Sequence, residues 1–120
     1  MNYDELLLSF QGATLNFPFN DKTAVFKVGK KMFALVGLER SPLSINLKCD
    51  PDDAPFLRTQ FKEIKPGYHM NKNHWNTIIL DGGFKESFIY KLMEDSYSLV
   101  VKGVSQRDQK SLDASESHSR

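Results

Sequence analysis

The pattern of apolar and polar positions at the start of the chain predicts a short helix over residues 3–10. Acidic residues occupy its first turn, and Gly12 provides a stop. Four apolar side chains at helical spacing share one face of this helix: Tyr3, Leu6, Leu7 and Phe10. Residues 15–22 follow, where a Phe-Pro-Phe-Asn-Asp sequence predicts a turn. Its two aromatic side chains, Phe17 and Phe19, are expected to be buried.

Three strands are predicted next. β-Branched and aromatic residues cluster at 24–28 and 31–38, and Gly29 with Lys30 between them predicts a tight hairpin turn. At residues 43–48, leucine and isoleucine alternate with serine, asparagine and lysine. Because successive side chains of a strand point to opposite faces, this third strand is expected to have one face in contact with water.

A helix start is predicted at Asp50, which can cap the first turn, because Pro51 suits the first helical position and two further aspartates favour the helix dipole. This helix is expected to run to about residue 61 or 62. Its predicted apolar positions are Phe56, Leu57 and Phe61.

The remaining pattern predicts a short extended piece at 63–65, a loop at 68–73, a strand at 75–80 and a long helix at 84–101. The buried stripe of the long helix is predicted to contain Phe88, Leu92, Met93, Ser96, Leu99 and Val100. Hairpin-linked strands without a regular strand–helix–strand rhythm favour an α+β fold. We therefore expect an antiparallel β-sheet with helices packed on one face.

Length and composition predict one domain. The chain has 120 residues, of which 40% are hydrophobic, so residues 1–103 can bury a core without disulfides or metal ions. Residues 104–120 are rich in serine and charged residues and are predicted to be a disordered tail. The single cysteine excludes an intrachain disulfide, and no signal peptide or membrane helix is recognised. A cytoplasmic protein is expected, and a monomer is favoured.

Three stretches of sequence resemble the MmcQ/YjbR family over about residues 3–103. One is Phe-Pro-Phe at 17–19 followed by VFKVGKKMFAL at 25–35, and another is LSINLKCDP at 43–51. The most specific is PGYHMNKNHWNT at 66–77, followed by Leu-Asp-Gly at 80–82. The chain has Asn20 and Lys30 at two positions where the family commonly has glycine. The resemblance implies a CyaY-like fold and a proposed double-wing mode of DNA binding, in which hairpins contact the nucleic acid.

The segment at residues 65–75 carries the densest candidate chemistry. Lysines can pair with phosphates, amides can contact base edges or phosphates, and an aromatic ring can stack on a base. The residues of this segment predicted to contact double-stranded DNA are Lys65, His69, Asn71, Lys72, Asn73, His74 and Trp75. Residues 58–75 contain four Lys and Arg residues but only one acidic residue, Glu63. The whole chain, in contrast, has a formal charge of only +1. A local basic surface is compatible with that nearly neutral total.

The first predicted hairpin is a second candidate wing, because its tip is flanked by Lys27, Lys30 and Lys31. An alternative role for these lysines is to protect an exposed strand end. Similarly, the Asn and His side chains of residues 65–75 can serve the loop's own hydrogen bonds. A further alternative is a small protein- or small-molecule-binding module, with a pocket around Tyr68, His69 and Trp75.

Catalytic and metal-binding functions find little support in the residue spacing, so a non-enzymatic protein without cofactors is expected. Cys49 precedes Asp50, and a neighbouring carboxylate raises the pKa of a thiol, which disfavours a nucleophile. His69 and His74 are five residues apart, which is unlike the usual short spacing of metal-binding histidines.

Overall fold

The computed structural model describes residues 2–39, 42–67, 70–80 and 83–104. The helices are α1 (Tyr3–Leu8), α2 (Asp53–Gln60) and α3 (Glu86–Lys102). The strands are β1 (Ala13–Asn16), β2 (Thr23–Val28), β3 (Lys31–Gly37), β4 (Ser44–Lys48), β5 (Ile64–Pro66) and β6 (Trp75–Ile79). Residues 105–120 lie outside the described part of the chain, so the disordered tail stays a prediction.

The strands form one six-stranded sheet in the order β1-β2-β3-β4-β6-β5, and every neighbouring pair is antiparallel. Helix α3 packs on β2, β3 and β4, whereas α2 packs on β5 and β6 and α1 packs on β1. The α+β class, with an antiparallel sheet and helices on one face, is therefore confirmed. No helix within the described residues is long and apolar enough to cross a membrane.

The first strand was missed by the pattern analysis, which predicted only a turn here. β1 is four residues long and pairs with residues 25–28 of β2, with only Ala13 and Leu15 half-buried. The aromatic residues that follow it are not buried as expected, since Phe17 is 44% exposed and Phe19 is 63% exposed. They follow the last residue pair of β1 with β2, which joins Asn16 to Val25.

Several helix boundaries differ from the predicted ones. Helix α1 ends at Leu8, and Phe10, beyond it, stacks on Tyr97 at 5.0 Å between ring centroids. In α2, Asp52 rather than Asp50 is the N-cap residue, and the Oδ1 atom of Asp50 accepts a hydrogen bond from the Asp52 N–H at 2.9 Å. Phe56, a predicted core position, is 60% exposed.

The buried side of α2 is instead formed by Ala54, because the helix lies over the short strands β5 and β6. In α3 the predicted stripe is largely present, but it also includes the buried Ile89. The expected wet face of β4 is drier than predicted, since Ser44 is buried and its two polar neighbours on that face are half-buried.

Alternation along the strands separates two apolar clusters on opposite faces of the sheet. The larger cluster lies under the helices and includes Phe26, Phe33, Ile45 and Ile78. The smaller cluster contains Val25, Leu35 and Trp75, with Met32 and Met70 packed against it. Val25 alternates with Ala24 and Phe26 of the larger cluster, which puts the smaller cluster on the face away from the helices. We call this face the open face.

A β-bulge in the hairpin of β2 and β3 is tied to α3 by the buried Ser96. The pairing changes from Phe26 with Ala34 to Lys27 with Met32, so Phe33 is the extra residue. The Ser96 hydroxyl donates to the Phe33 carbonyl at 2.6 Å and accepts from the Lys48 N–H at 2.8 Å. The helix therefore holds both the bulge and the end of β4 in place.

Candidate nucleic-acid interface

The two predicted wings emerge from the same end of the sheet. Val28 pairs with Lys31 at the β2–β3 turn, and Pro66 pairs with Asn76 where the β5–β6 loop begins and ends. Lys48, the last residue of β4, pairs with Trp75 and lies between the two hairpins. Three strand spacings separate the midlines of the hairpins, which corresponds to about 14 Å. The antiparallel topology thus brings together two segments that are far apart in sequence.

The first wing divides its lysines between the two faces of the sheet. Gly29 has a positive φ of 60°, and Lys30 beside it at the tip is exposed. Lys27 pairs with Met32 on the open face and is half-buried, whereas Lys31 pairs with the core residue Val28. The bulge therefore directs Lys31 toward the helices.

The ammonium of Lys31 lies at the C-terminus of α3, where its Nζ is 3.6 Å from the position a Cβ would take on Gly103. A cation at this end of a helix interacts favourably with the helix dipole. Of the three predicted lysines in this wing, only Lys30 is therefore both exposed and clear of the helix side.

The second wing is held by hydrogen bonds within its own backbone. The Gly67 N–H donates to the Trp75 carbonyl at 2.9 Å, and the Trp75 N–H donates to the Asn71 carbonyl at 3.0 Å. The Asn71 side-chain Oδ1 accepts from the Asn73 N–H at 2.9 Å, which is an Asx turn. The His74 carbonyl accepts from the Cys49 N–H at 2.7 Å, which ties the loop to the end of β4.

Arg58 fastens this loop to α2. One terminal nitrogen of its guanidinium donates to the Lys72 carbonyl at 2.7 Å, and its Nε donates to the Ala54 carbonyl at 3.2 Å. Lys72 closes the loop from the other side, since its Nζ donates to the Gly67 carbonyl at 3.2 Å. Lys72 is nevertheless exposed, and an ammonium has three donors, so it can still contact an anion.

Trp75 packs in the interior of the second wing. Its side chain is 8% exposed and belongs to the smaller apolar cluster. A Cβ on Gly67 would lie 2.7 Å from the Trp75 Cβ, so this turn needs glycine for the two residues to approach. In this position the indole supports the loop and does not present a face on which a base can stack.

The other predicted contact residues differ in their exposure. His74 is half-buried, and Tyr68 and His69 lie outside the described residues. The predicted residues that the structure leaves exposed at this end of the sheet are Lys30, Lys31, Lys65, Asn71, Lys72 and Asn73. Arg58, which in the sequence is only part of a local charge excess, positions the loop through its bond to the Lys72 carbonyl. Its distance of fourteen residues from Lys72 gave no sequence signal.

Cys49 follows β4, next to the second wing but on a half-buried site. Burial first, and then the carboxylates of Asp53, Asp50 and Asp95 in that order of size, together raise the pKa of its thiol from 9.0 to about 11. This direction agrees with the prediction from the sequence, although burial contributes more than any carboxylate. Within the described part of the chain, no group of three His, Cys, Asp or Glu side chains is placed to hold a metal ion.

The fold and the paired loops define a class of small α+β proteins in which two hairpins project from one end of a six-stranded antiparallel sheet. The chain belongs to the YjbR family, whose model matches residues 8–99. The predicted family resemblance is therefore confirmed.

Relatives and solved structures agree with this assignment. The uncharacterized protein YbdF of Escherichia coli O157:H7 is 40% identical over 105 residues, which cover 88% of this chain and 86% of that protein. The uncharacterized protein YjbR of Escherichia coli K12 is 35% identical over 84% of this chain and 88% of its own length. The crystal structure of Deinococcus radiodurans protein DR2400 matches with a TM-score of 0.83 and 37% identity, covering 91% of this chain and 83% of that one.

Proposed function

We propose that this protein is a non-catalytic DNA-binding protein that contacts duplex DNA through the two wings. The observation that carries the proposal is the convergence of two lysine-bearing loops, at residues 27–31 and 65–75, on one end of the sheet. Lysines clustered on one surface form the electrostatic footprint that a polyanion recognises, even when the whole chain is nearly neutral.

The spacing of the wings suits a duplex. The hairpin midlines are about 14 Å apart, and the major groove of B-DNA is about 12 Å wide. One wing on each side of the groove would bring lysines to phosphates of both strands. The rigid hydrogen bonding of the second wing favours this arrangement, because a preorganised loop loses less conformational entropy when it binds.

Each exposed residue has a distinct role in the proposal. Lys30, Lys65 and Lys72 contact phosphates, and the side-chain amides of Asn71 and Asn73 contact phosphates or base edges. Within the described residues, Trp75 and Arg58 hold the second wing in shape. His69 belongs to the proposed surface by its place in the sequence alone.

A salt titration tests the proposal. With three or four phosphate contacts, log affinity for a 20-base-pair duplex should fall against log salt with a slope of about −2.7 to −3.6. Affinity should then drop about 40- to 150-fold between 50 and 200 mM salt. Fluorescence anisotropy of a labelled duplex measures both quantities. No binding at low salt, or binding without salt dependence, would contradict the proposal.

A matched pair of double variants locates the contact surface. Lys65→Gln with Lys72→Gln removes two charges from the second wing while keeping a donor for the Gly67 carbonyl. Lys22→Gln with Lys85→Gln removes two exposed charges from the start of β2 and the start of α3, away from the wings. The first variant should reduce the salt slope by about 2, and the second should leave it nearly unchanged. Equal effects of the two variants would remove the wings from the proposal.

A further inference from the structure

A cleft separates α2 from α3 on the helix side of the sheet. The two helices pack on different strands, α2 on β5 and β6 and α3 on β2 to β4, so the cleft lies over the junction of β4 and β6. Its volume is about 550 Å³, which is within the range of small-molecule sites. Leu47 and Ile78 line it from the sheet, and Leu57 and Leu92 line it from the two helices.

Aromatic side chains stand at one part of this cleft. Phe88 lines it, and Phe88 also packs against Phe61 and Phe84 at ring-centroid distances of 5.2 and 5.1 Å. This aromatic cluster and the leucines provide an apolar surface of the kind that a hydrocarbon or aryl group would cover. This part of the cleft lining is therefore apolar.

The side chain of Asn76 is the buried polar group of the cleft. It is 2% exposed, lines the cleft, and donates from Nδ2 to the Ala54 carbonyl at 3.3 Å. That hydrogen bond fixes which end of the amide is the oxygen, because a carbonyl accepts only from a donor. Within the described residues, the Asn76 Oδ1 has no hydrogen-bond partner. Buried acceptors in proteins are usually hydrogen-bonded, so this oxygen is expected to accept from a donor. A ligand in the cleft can supply that donor.

Three carboxylates line the same cleft as Asn76. Asp53 immediately precedes Ala54, the partner of Asn76, and Asp50 and Asp95 also line the cleft. Three lysines line it as well. Lys91 is already paired with Asp95 at 2.7 Å, Lys102 is in the last turn of α3, and Lys48 pairs with Trp75, so its side chain points to the open face. Burial is the largest cause of the raised pKa of the Cys49 thiol, and the three carboxylates raise that pKa as well. With Lys91 and Asp95 paired and the Lys48 side chain on the open face, the carboxylates of Asp50 and Asp53 remain against Lys102, so the net charge of the lining is negative.

We propose that the cleft binds a small amphipathic cation, an alkylamine or arylalkylamine. The ammonium group donates a hydrogen bond to the Asn76 Oδ1 and lies beside the Asp53 carboxylate. The apolar body lies between Leu57 of α2 and Leu92 of α3. This site is on the opposite side of the sheet from the open face and uses none of the exposed wing residues, so it is independent of DNA binding.

Two probes with matched bodies and opposite charges test the proposal. Phenethylamine and 3-phenylpropionate are titrated separately into the full chain, and amide chemical shifts are followed by NMR. Phenethylamine should give saturable shifts at the Asn76 side-chain amide and at the backbone amides of Cys49 and Asp53. 3-Phenylpropionate should bind at least about fivefold more weakly, because carboxylates repel it. Equal binding of the two probes, or no saturable shift with phenethylamine, would overturn the proposal; the latter is expected if only water meets the Asn76 Oδ1.

Two pairs of variants locate the site within the cleft. Ser98→Trp places a large side chain at a lining position of α3, whereas Glu94→Trp places it at an exposed position of the same helix outside the lining. The first should abolish the phenethylamine shifts, and the second should preserve them. If both variants bind equally well, the amine binds elsewhere and the proposal fails.

The second pair tests the charge. Asp53→Asn removes a lining carboxylate, and Asp52→Asn removes the adjacent carboxylate, which does not line the cleft. Both positions are at the start of α2, so the two substitutions have similar effects on the helix. Asp53→Asn should raise the dissociation constant about two- to fivefold, and Asp52→Asn should change it less than about twofold. An equal response to both would show that the ammonium is not beside Asp53.

Discussion

The second wing and the cleft between α2 and α3 lie on either side of β6 and use their polar groups in opposite ways. In the wing, the Asn71 side chain accepts from the Asn73 N–H, the Lys72 ammonium donates to the Gly67 carbonyl, and Arg58 donates to the Lys72 carbonyl. In the cleft, the buried Asn76 keeps an acceptor without a partner among the described residues, and the lining around it combines apolar side chains with carboxylates. Neighbouring residues of one strand, Trp75 and Asn76, thus serve two faces with different requirements.

This difference shows that a segment rich in polar residues is not automatically rich in available chemistry. In a tight loop, most hydrogen-bond donors and acceptors pair within the loop itself. Its surface charges are then the groups that can bind a partner. The leucines of the cleft offer no hydrogen-bonding groups, so a single buried amide there has a larger effect on which ligand binds. The wing is accordingly suited to long-range attraction of a polyanion, and the cleft to close recognition of one small group.

Among the variants that test this difference between wing and cleft, Gly67→Ala should have the largest effect on the free energy of unfolding. The added Cβ would lie 2.7 Å from the Trp75 Cβ and 3.0 Å from the Trp75 carbonyl oxygen, so backbone must move. We expect the free energy of unfolding to fall by about 3 kcal/mol. Chemical denaturation measures this change.

Gly103→Ala is the matched control for that substitution. There the nearest atom to an added Cβ is 3.6 Å away, which is ordinary contact, and the backbone φ of −93° is accessible to alanine. Its effect should remain within about 0.5 kcal/mol. If Gly67→Ala were equally mild, the second wing would be far less rigid than its hydrogen bonds indicate.

Two asparagines provide the next test. Asn76→Leu removes the acceptor that has no partner within the described residues, and the Ala54 carbonyl keeps its bond from Arg58. We expect a free energy of unfolding that is unchanged or higher by up to about 1 kcal/mol. Asn71→Leu removes a cap that the Asn73 N–H uses, and should lower stability by about 1 kcal/mol.

Denaturation of both variants under the same conditions measures the contrast. Asn76→Leu should also abolish the response to phenethylamine, which separates a binding role from a structural one. If Asn76→Leu proved more destabilising than Asn71→Leu, Asn76 would be part of the folded framework, and its oxygen would not be held ready for a ligand.

The smallest expected effect is on the ionisation of Cys49, because the carboxylates of the cleft raise the pKa of its thiol. Its thiol has a pKa raised from the ordinary 9.0 to about 11, so the folded state binds the proton more tightly than the unfolded state. The resulting stabilisation is fully present below pH 9 and is lost as the pH rises through about 11. Alkylation by iodoacetamide should therefore rise with pH around 11 in the folded protein and around 9 in urea.

Asp53→Asn should shift the alkylation profile of the folded protein to lower pH, since Asp53 is the largest of the carboxylate contributions. Burial is the larger cause overall, so the shift should be partial. A profile that already rises around pH 9 in the folded wild type would show that the cleft is neither as dry nor as negative as described.

The fold could be predicted from the sequence wherever a local pattern was strong. The strand at residues 43–48 follows from strict alternation, and the hairpin turn predicted at Gly29 is present, with a positive φ at that glycine. β1 was missed because four residues next to a Phe-Pro-Phe turn carry too little periodicity. The exposure of Phe56 does not follow from its helical spacing, because that spacing does not say whether a position packs on the sheet or lines the cleft.

The candidate interface was only partly predictable. The lysines of the two wings were evident from composition, but the assignment of Lys31 to the helix side depends on a bulge at Phe33 that no sequence signal marked. The sequence leaves open whether Trp75 is a stacking ring or a core residue, and the apolar side chains of Val25 and Leu35 on the open face decide for the core. Asn76 was not singled out at all, because an asparagine within a strand has no local feature that distinguishes a buried acceptor from an exposed one.

The sequence by itself determined the α+β class, the family, the positions of the main helices and strands, and the basic character of two turns, because these depend on local periodicity and residue type. Only the tertiary structure decided that the two turns meet at one end of the sheet, that Arg58 and Trp75 build a wing, and that α2 and α3 leave a cleft above Asn76. Those features arise from strand order and from which face each side chain occupies. Both are set by contacts between residues far apart in the chain, and a one-residue bulge is enough to reverse them.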